Sequence, residues 1–343
     1  MQRNQLVAAQ IGCGYWGPNL LRNYSLLPNC SVKYVVELRE DRRAYVAANF
    51  PKSQAIVDVQ TVVRDADVDF VIIASQASTH FEMTKLFREA GKHVFVEKPL
   101  AMSVREADAL TQLAAAKERT LMVGHTFLYN AAVNYVRDFV HSGELGEVFY
   151  VYMQRLNLGV IRSDINVMWN LAPHDVSIAS YVLGMEPIAV SAWGEAYVQR
   201  EIEDVVFMSL LFPDRIKVHI QVSWLDPHKV RKTTVVGKKK MIVYDDISDD
   251  KITIYDKGID KKDLQPDLPF DILTPYTFIH RTGDIHIPKV DFKEPLKVEA
   301  AHFVECILTG KQPLSGPANG RAVVAILEAA QESLKNGNKF ISF

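Results

Sequence analysis

Short β-branched apolar runs alternate with amphipathic stretches through the first third of the chain. Strands are predicted at Leu6 to Ile11, Val32 to Glu37, Val68 to Ala74, His93 to Glu97 and Thr120 to Val123, with a weaker run near Ala55 to Val57. Ser78-Thr79-His80 opens a helix that ends near Gly91, and Ser103-Val104-Arg105-Glu106 has the spacing of a capping box for the next one. Such alternation predicts a parallel sheet wound with crossover helices. After Gly124 the pattern changes. A helix is expected from Ala132 to His141, a strand from Glu147 and a helix from Pro173 to Leu183 ended by Gly184. A series of strands then runs from Ala189 to Tyr255, among them Phe207 to Leu211, Lys217 to Trp224 and Thr233 to Val236. That series predicts an open, largely antiparallel sheet, and the carboxyl end returns to helix at Val298 to Leu308 and Gly320 to Asn336. The predicted class is α/β followed by α+β, with one domain over residues 1–124 and a second over 125–343.

Such a length suits two cores rather than one: the chain has 343 residues, 48% apolar and 23% charged, with no low-complexity tract. A formal charge of −2 gives no electrostatic reason to bind nucleic acid or an anionic membrane. The one conspicuous basic run, Lys238-Lys239-Lys240, falls between two β-rich segments and reads as a solvated hairpin turn. Cys13, Cys30 and Cys306 are too few and too widely spaced for a disulfide framework or a zinc site, so reduced thiols and no metal are expected. No uncharged stretch approaches membrane-spanning length and the amino terminus runs straight into a strand, from which a cytoplasmic protein is expected. A sheet open on one face needs a cover, and a second copy of the chain supplies one. A homodimer or homotetramer through the carboxyl-terminal sheet is therefore expected.

Candidate chemistry begins at Gly12-Cys13-Gly14-Tyr15-Trp16-Gly17, which follows the first strand and opens a helix with Pro18 in its first turn. In that context Gly12 permits a tight turn, Gly14 lets backbone N–H groups reach a pyrophosphate, and Gly17 allows close packing of helix on strand. Tyr15 and Trp16 complete the loop. Glu37, twenty residues beyond Gly17 at the end of the second strand, can accept bonds from the adenosine ribose hydroxyls and would repel a 2′-phosphate. NAD is the expected cofactor, with NADP left open by Arg39, Arg42 and Arg43 close behind.

Three further stretches give the chain its likeness to a known family. They are Ala74-Ser75-Gln76-Ala77-Ser78-Thr79-His80 and Glu97-Lys98-Pro99-Leu100, each at the carboxyl end of a parallel strand, and Trp169-Asn170-Leu171-Ala172-Pro173-His174-Asp175 at the start of a helix. With these motifs the chain resembles, along nearly its whole length, the Gfo/Idh/MocA family of dinucleotide-dependent sugar and cyclitol oxidoreductases. The resemblance implies a Rossmann domain followed by a substrate-binding and oligomerisation domain. It implies that Ser75, His80 and Glu97 lie near the cofactor, that Lys98 stands between nicotinamide and substrate, and that the Lys98–Pro99 bond is cis.

A histidine has the intrinsic pKa to accept a hydroxyl proton as hydride leaves the same carbon, and the resemblance gives that role to His174. Asn170, one turn earlier, stands where the family often has aspartate. It can orient a sugar hydroxyl but cannot take its proton. Arg155, Asn157, Trp169, Lys229 and Arg231 are candidate substrate contacts. The segments Arg155 to Gly159 and Trp224 to Arg231 resemble those of members acting on nucleotide-activated amino sugars, so a UDP-N-acetylglucosamine-type 3-dehydrogenase is the sharpest expectation. Reduction of a keto nucleotide sugar and oxidation of inositol or a free aldose are alternatives. The asparagine at 170 also admits a binding protein that transfers no hydride.

Overall fold

Every strand expected in the first third forms, within two residues of its expected ends. The computed structural model describes residues 5–263 and 276–343. In chain order its first unit runs β1 (Leu6–Ile11), α1 (Gly17–Ser25), β2 (Cys30–Val36), α2 (Glu40–Asn49), β3 (Gln54–Ile56), α3 (Val59–Arg64), β4 (Phe70–Ile73), α4 (His80–Glu89), β5 (His93–Glu97), α5 (Val104–Lys117) and β6 (Leu121–Gly124). The strands pair in parallel in the order β3-β2-β1-β4-β5-β6. This is the doubly wound dinucleotide-binding order, with its switch point beside β1. Burial on both faces explains the near-continuous apolar runs of β4 and β5. The cap expected at α5 forms, Ser103 Oγ accepting the Glu106 N–H at 3.3 Å, while the Glu106 carboxylate reaches one residue further back than in a standard capping box and accepts the Met102 N–H at 3.0 Å.

The second unit opens with α6 (Ala131–His141), β7 (Val148–Leu158) and α7 (Val167–Leu183), then runs through β8 (Ala189–Glu195), β9 (Val205–Leu211), β10 (Lys217–Ser223), β11 (Leu225–Gly237), β12 (Met241–Asp245), β13 (Ile252–Asp263) and β14 (Tyr276–His286). After α8 (Pro295–Thr309) and α9 (Pro317–Lys335), β15 (Ile341–Ser342) pairs with β8. The nine strands form one mixed sheet, antiparallel except where β10 lies parallel to β7. Lys238 to Lys240 form the expected turn, the Gly237 N–H meeting the Lys240 carbonyl at 3.0 Å. The three cysteines are free and buried. Among the described residues no helix is long and apolar enough to cross a membrane.

Two expectations need correcting. A single cut after residue 124 does not describe the units, because the first extends to Asn130 and takes back residues 293–332, which carry α8 and most of α9. The reason is aromatic packing: Phe303 of α8 lies edge-on to Phe70 of β4 and Phe95 of β5, with ring centroids 5.4 and 5.8 Å away, and Tyr24 of α1 closes the cluster. A sequence pattern finds the helix but not the sheet that buries it. Helix α7, expected from Pro173, starts at Val167, because Asn166 caps it by accepting the Trp169 N–H at 3.0 Å. Pro173 thus sits inside the helix, and Asn170 and His174 are both helical.

Candidate functional site

The glycine loop has the geometry expected at Gly12 and Gly17. Gly12 sits at φ +90°, where an added Cβ would come within 2.8 Å of the Ala74 carbonyl oxygen, so both turn and neighbour demand glycine. A Cβ on Gly17 would lie 2.9 Å from the Gly12 carbonyl oxygen, while one on Gly14 would meet nothing. The amino terminus of α1 opens at Gly17 with Pro18 in its first turn, and Tyr15 and Trp16 stand exposed at the loop tip. An anion is favoured there by the helix dipole and the N–H groups of the turn. A brace that sequence reading missed lies beneath: Gln10 Nε2 donates to the carbonyls of Gly12 at 2.9 Å and Gly17 at 3.0 Å. The available signal was a polar residue inside the apolar run Leu6 to Ile11, fully buried in the sheet.

Glu37 is tethered to this loop. Its carboxylate accepts the Cys13 N–H at 2.7 Å and the Arg39 N–H at 3.0 Å, leaving further lone pairs for a ribose diol. The three arginines that would have to neutralise a 2′-phosphate have other partners. Arg42 donates to the Cys13 and Gly14 carbonyls at 2.7 and 2.8 Å, Arg43 to the Glu37 and Leu38 carbonyls, and Arg39 to Asp41. The pocket of charge therefore fits NAD.

At the carboxyl ends of β4 and β5 the loops are tied together. His80 is buried, with Nδ1 2.7 Å from the Pro99 carbonyl oxygen and Nε2 3.3 Å from that of Ser75, so it braces two loops. The Ser75 and Thr79 hydroxyls bond at 2.6 Å. The Lys98–Pro99 bond is cis. Glu97 is paired in register with Gly124, and a Cβ there would fall 3.1 Å from the Glu97 carboxyl. Burial pushes the Glu97 pKa up to about 7, opposed by the Lys98 ammonium, the Lys98 N–H and the Trp16 indole. Thus Gly12, Gly14, Tyr15, Trp16, Gly17, Glu37, Ser75, His80, Glu97 and Lys98 all stand on the loop, strand ends and helix starts at the carboxyl edge of one sheet.

In the second unit, α7 packs on β7 and β10 and carries Asn170 and His174 one turn apart. Arg155 and Trp169 do not have the surface that ligand contacts need. Arg155 is buried and grips Asp175 in a bidentate pair, Nε to Oδ2 at 2.8 Å and Nη2 to Oδ1 at 3.0 Å. It holds α7 to β7 at the residue next to His174. Trp169 is 6% exposed and Trp224 2%, so both indoles are core rather than stacking platforms. The strand pairing explains Asn157 and Lys229. The β7–β11 register breaks between Leu225 and Val230, so β11 bulges outward opposite Asn157 and exposes His228 and Lys229. Arg231, beside the bulge, is half-exposed and pairs with Asp246 at 3.2 Å.

Comparison with known proteins agrees with this geometry. The model of an oxidoreductase family with an NAD-binding Rossmann fold (Gfo/Idh/MocA) matches residues 7–125, and the model of that family's C-terminal domain matches residues 133–243. The scyllo-inositol 2-dehydrogenase (NAD(+)) of Bacillus subtilis is 24% identical over 97% of this chain and 95% of its own. The UDP-N-acetylglucosamine 3-dehydrogenase of Acidithiobacillus ferrooxidans is 32% identical, but over 55% of this chain and 58% of that protein, little more than half of each. GenD2 from gentamicin A biosynthesis, solved in complex with NAD, superposes with a TM-score of 0.83 at 22% identity, covering 99% of this chain and 97% of its own. With both of its domains matched and its glycine loop, Glu37 tether and strand ends in place, this chain belongs to the Gfo/Idh/MocA oxidoreductases and carries their NAD-binding Rossmann domain.

Proposed function

We propose that this protein oxidises a ring hydroxyl of a nucleotide-activated amino sugar of the UDP-N-acetylglucosamine type, at carbon 3, with NAD. The observation that carries the reading is the bulge in the β7–β11 pairing, where Asn157 lies opposite a segment bearing exposed Lys229, with Arg231 beside it. Amide and cationic side chains together suit a polyhydroxylated ligand with phosphates. The 32% identity to a UDP-N-acetylglucosamine 3-dehydrogenase supports it. NAD, when bound, supplies the hydride acceptor. In this reading Lys98 donates a hydrogen bond to the reacting oxygen and stabilises it as it becomes electron-rich, His174 takes the hydroxyl proton, and Asn170 orients the ring. Support for joining Lys98 to His174 is the family resemblance of the two motifs.

Oxidation of an inositol is the second reading, favoured by the match to scyllo-inositol 2-dehydrogenase over almost the whole of both chains. A panel of UDP-N-acetylglucosamine, free N-acetylglucosamine, myo-inositol and scyllo-inositol, followed by NADH absorbance, separates them. UDP-N-acetylglucosamine is expected to show a kcat/KM at least about tenfold above the others, the discrimination that one set of phosphate contacts supplies. A faster inositol reaction would reverse the assignment. Measured binding with no NADH from any of them would make the protein a binding module, as Asn170 in place of aspartate would allow.

The protein is further proposed to be a homo-oligomer through the nine-stranded sheet. In register across β7, β10, β9 and β8, one face carries Gln154, Gln221, Phe207 and Trp193, with Tyr152 and Tyr150 further along. Phe207, Trp193, Tyr150 and Tyr152 are all exposed. Helix α7 packs on these strands, and the face that bears the exposed aromatics is the uncovered one among the described residues. Sedimentation should show a dimer or tetramer for the parent chain and a monomer for Phe207→Glu. A parent that sediments as a monomer at micromolar concentration would dismiss the proposal.

A further inference from the structure

Glu97 shares its side of β5 with Phe95, two residues earlier, and Glu299 shares its face of α8 with Phe303, one turn later. Because Phe95 and Phe303 are in ring contact, the same two faces bring Glu299 over Glu97. Thr126 fixes the height: it donates to Glu299 Oε2 at 2.8 Å and follows Gly124, the register partner of Glu97, by two residues. Both carboxyls are buried, Glu299 at 0% exposure.

Around them, polar atoms stand without protein partners among the described residues. Glu97 Oε1 and Glu299 Oε1 accept no hydrogen bond, the His125 ring has none at either nitrogen, and neither does the Tyr24 hydroxyl. A buried polar group without a partner costs the fold, so five in one cluster call for a function. The charged and titratable groups facing the two acids are Lys98 at the end of β5, His125 and Tyr129 after β6, and Tyr24 from α1. Two carboxylates and one ammonium, all ionised, would leave a net buried negative charge. The pair avoids it by keeping a proton: burial and mutual repulsion hold the Glu299 carboxyl well above its ordinary pKa, and His125, with its pKa lowered to about 3 by burial and Lys98, stays neutral.

We propose that Glu97 and Glu299 form a shared-proton site that senses the charge of the nicotinamide, giving up its proton when the oxidised cofactor binds and holding it with the reduced form. The chemistry balances: oxidation of a secondary alcohol passes a hydride to the cofactor and the hydroxyl proton to His174, and the ionised pair regains a proton from solvent as the positive charge of the ring disappears. Glu97 is at the carboxyl edge beside the glycine loop, and Glu299 acts through it as a positioning residue. The inference rests on the NAD site and not on the identity of the sugar.

Isothermal titration of the full chain with NAD+ and with NADH, each in two buffers of different ionisation enthalpy at neutral pH, counts the protons exchanged. The heat itself reports the cofactor site, while its buffer dependence reports the pair, so the two readings fail separately. NAD+ is expected to release about half to one proton per site at neutral pH and NADH close to none, with the difference fading as the pH is raised and the pair ionises without cofactor. Glu299→Gln should bind both forms and lose the difference. The infrared carbonyl band of a protonated carboxyl, present in the parent and bleached by NAD+ but not by NADH, tests the same point if that variant does not fold. Equal proton counts for the two cofactor forms, or a difference that survives in Glu299→Gln, would overturn the proposal.

Discussion

Replacing Lys98 with methionine is expected to lower kcat by about a thousandfold while leaving NAD affinity within about threefold, the magnitude typical of losing a positioned proton or charge partner. Methionine keeps the length and apolar stem of the side chain, so what is removed is the ammonium. Its position justifies the size of the effect. Lys98 follows the last residue of β5, between the braced loops of Ser75 and Pro99, and its charge helps hold down the buried Glu97 carboxyl. Cofactor binding can be followed by fluorescence of Trp16 at the loop tip, so the two effects are separable in one protein. A variant turning over within about tenfold of the parent at saturating substrate would remove Lys98 from the chemistry.

The parts legible in the sequence were those whose cause is local. A glycine with a positive φ, a cap three residues before its N–H partner, and an apolar run of five residues all leave their signature within a single window. Gly12, Ser103 and β5 were accordingly read correctly. Glu37 was legible because one short helix, a turn and one strand separate it from Gly17 and bring it back to the loop. What escaped depends on partners far along the chain. Arg155 looks like a ligand contact until Asp175 is found buried against it, and α8 looks like part of the second domain until Phe303 meets Phe70. Glu299 did leave a trace, an acid on the apolar stripe of Leu296, Ala300 and Phe303, and such residues mark where a helix face is under a demand other than packing.

The fold and the chemistry meet most directly at the Arg155–Asp175 pair. Asp175→Asn would leave a buried guanidinium without its counter-charge and is expected to destabilise the second unit by about 3–5 kcal/mol, read as a lowered denaturant midpoint. The half-exposed Arg162–Asp164 pair makes the control, since breaking it should cost less than about 1 kcal/mol. Stability alone does not explain why a buried ion pair stands where two apolar residues would pack as well. Its place on α7 does: Asp175 is the next residue after His174, so a bidentate clamp there fixes the rotation of the helix at the proposed base. The double variant Arg155→Met with Asp175→Leu should therefore recover most of the lost stability, because well-packed apolar pairs commonly replace buried ion pairs at no cost. Turnover should stay depressed by about tenfold or more, as expected when a reacting group is displaced by about 1 Å. Recovery of both together would mean that the pair only holds the fold, and an unchanged midpoint in Asp175→Asn would mean that it does not hold even that.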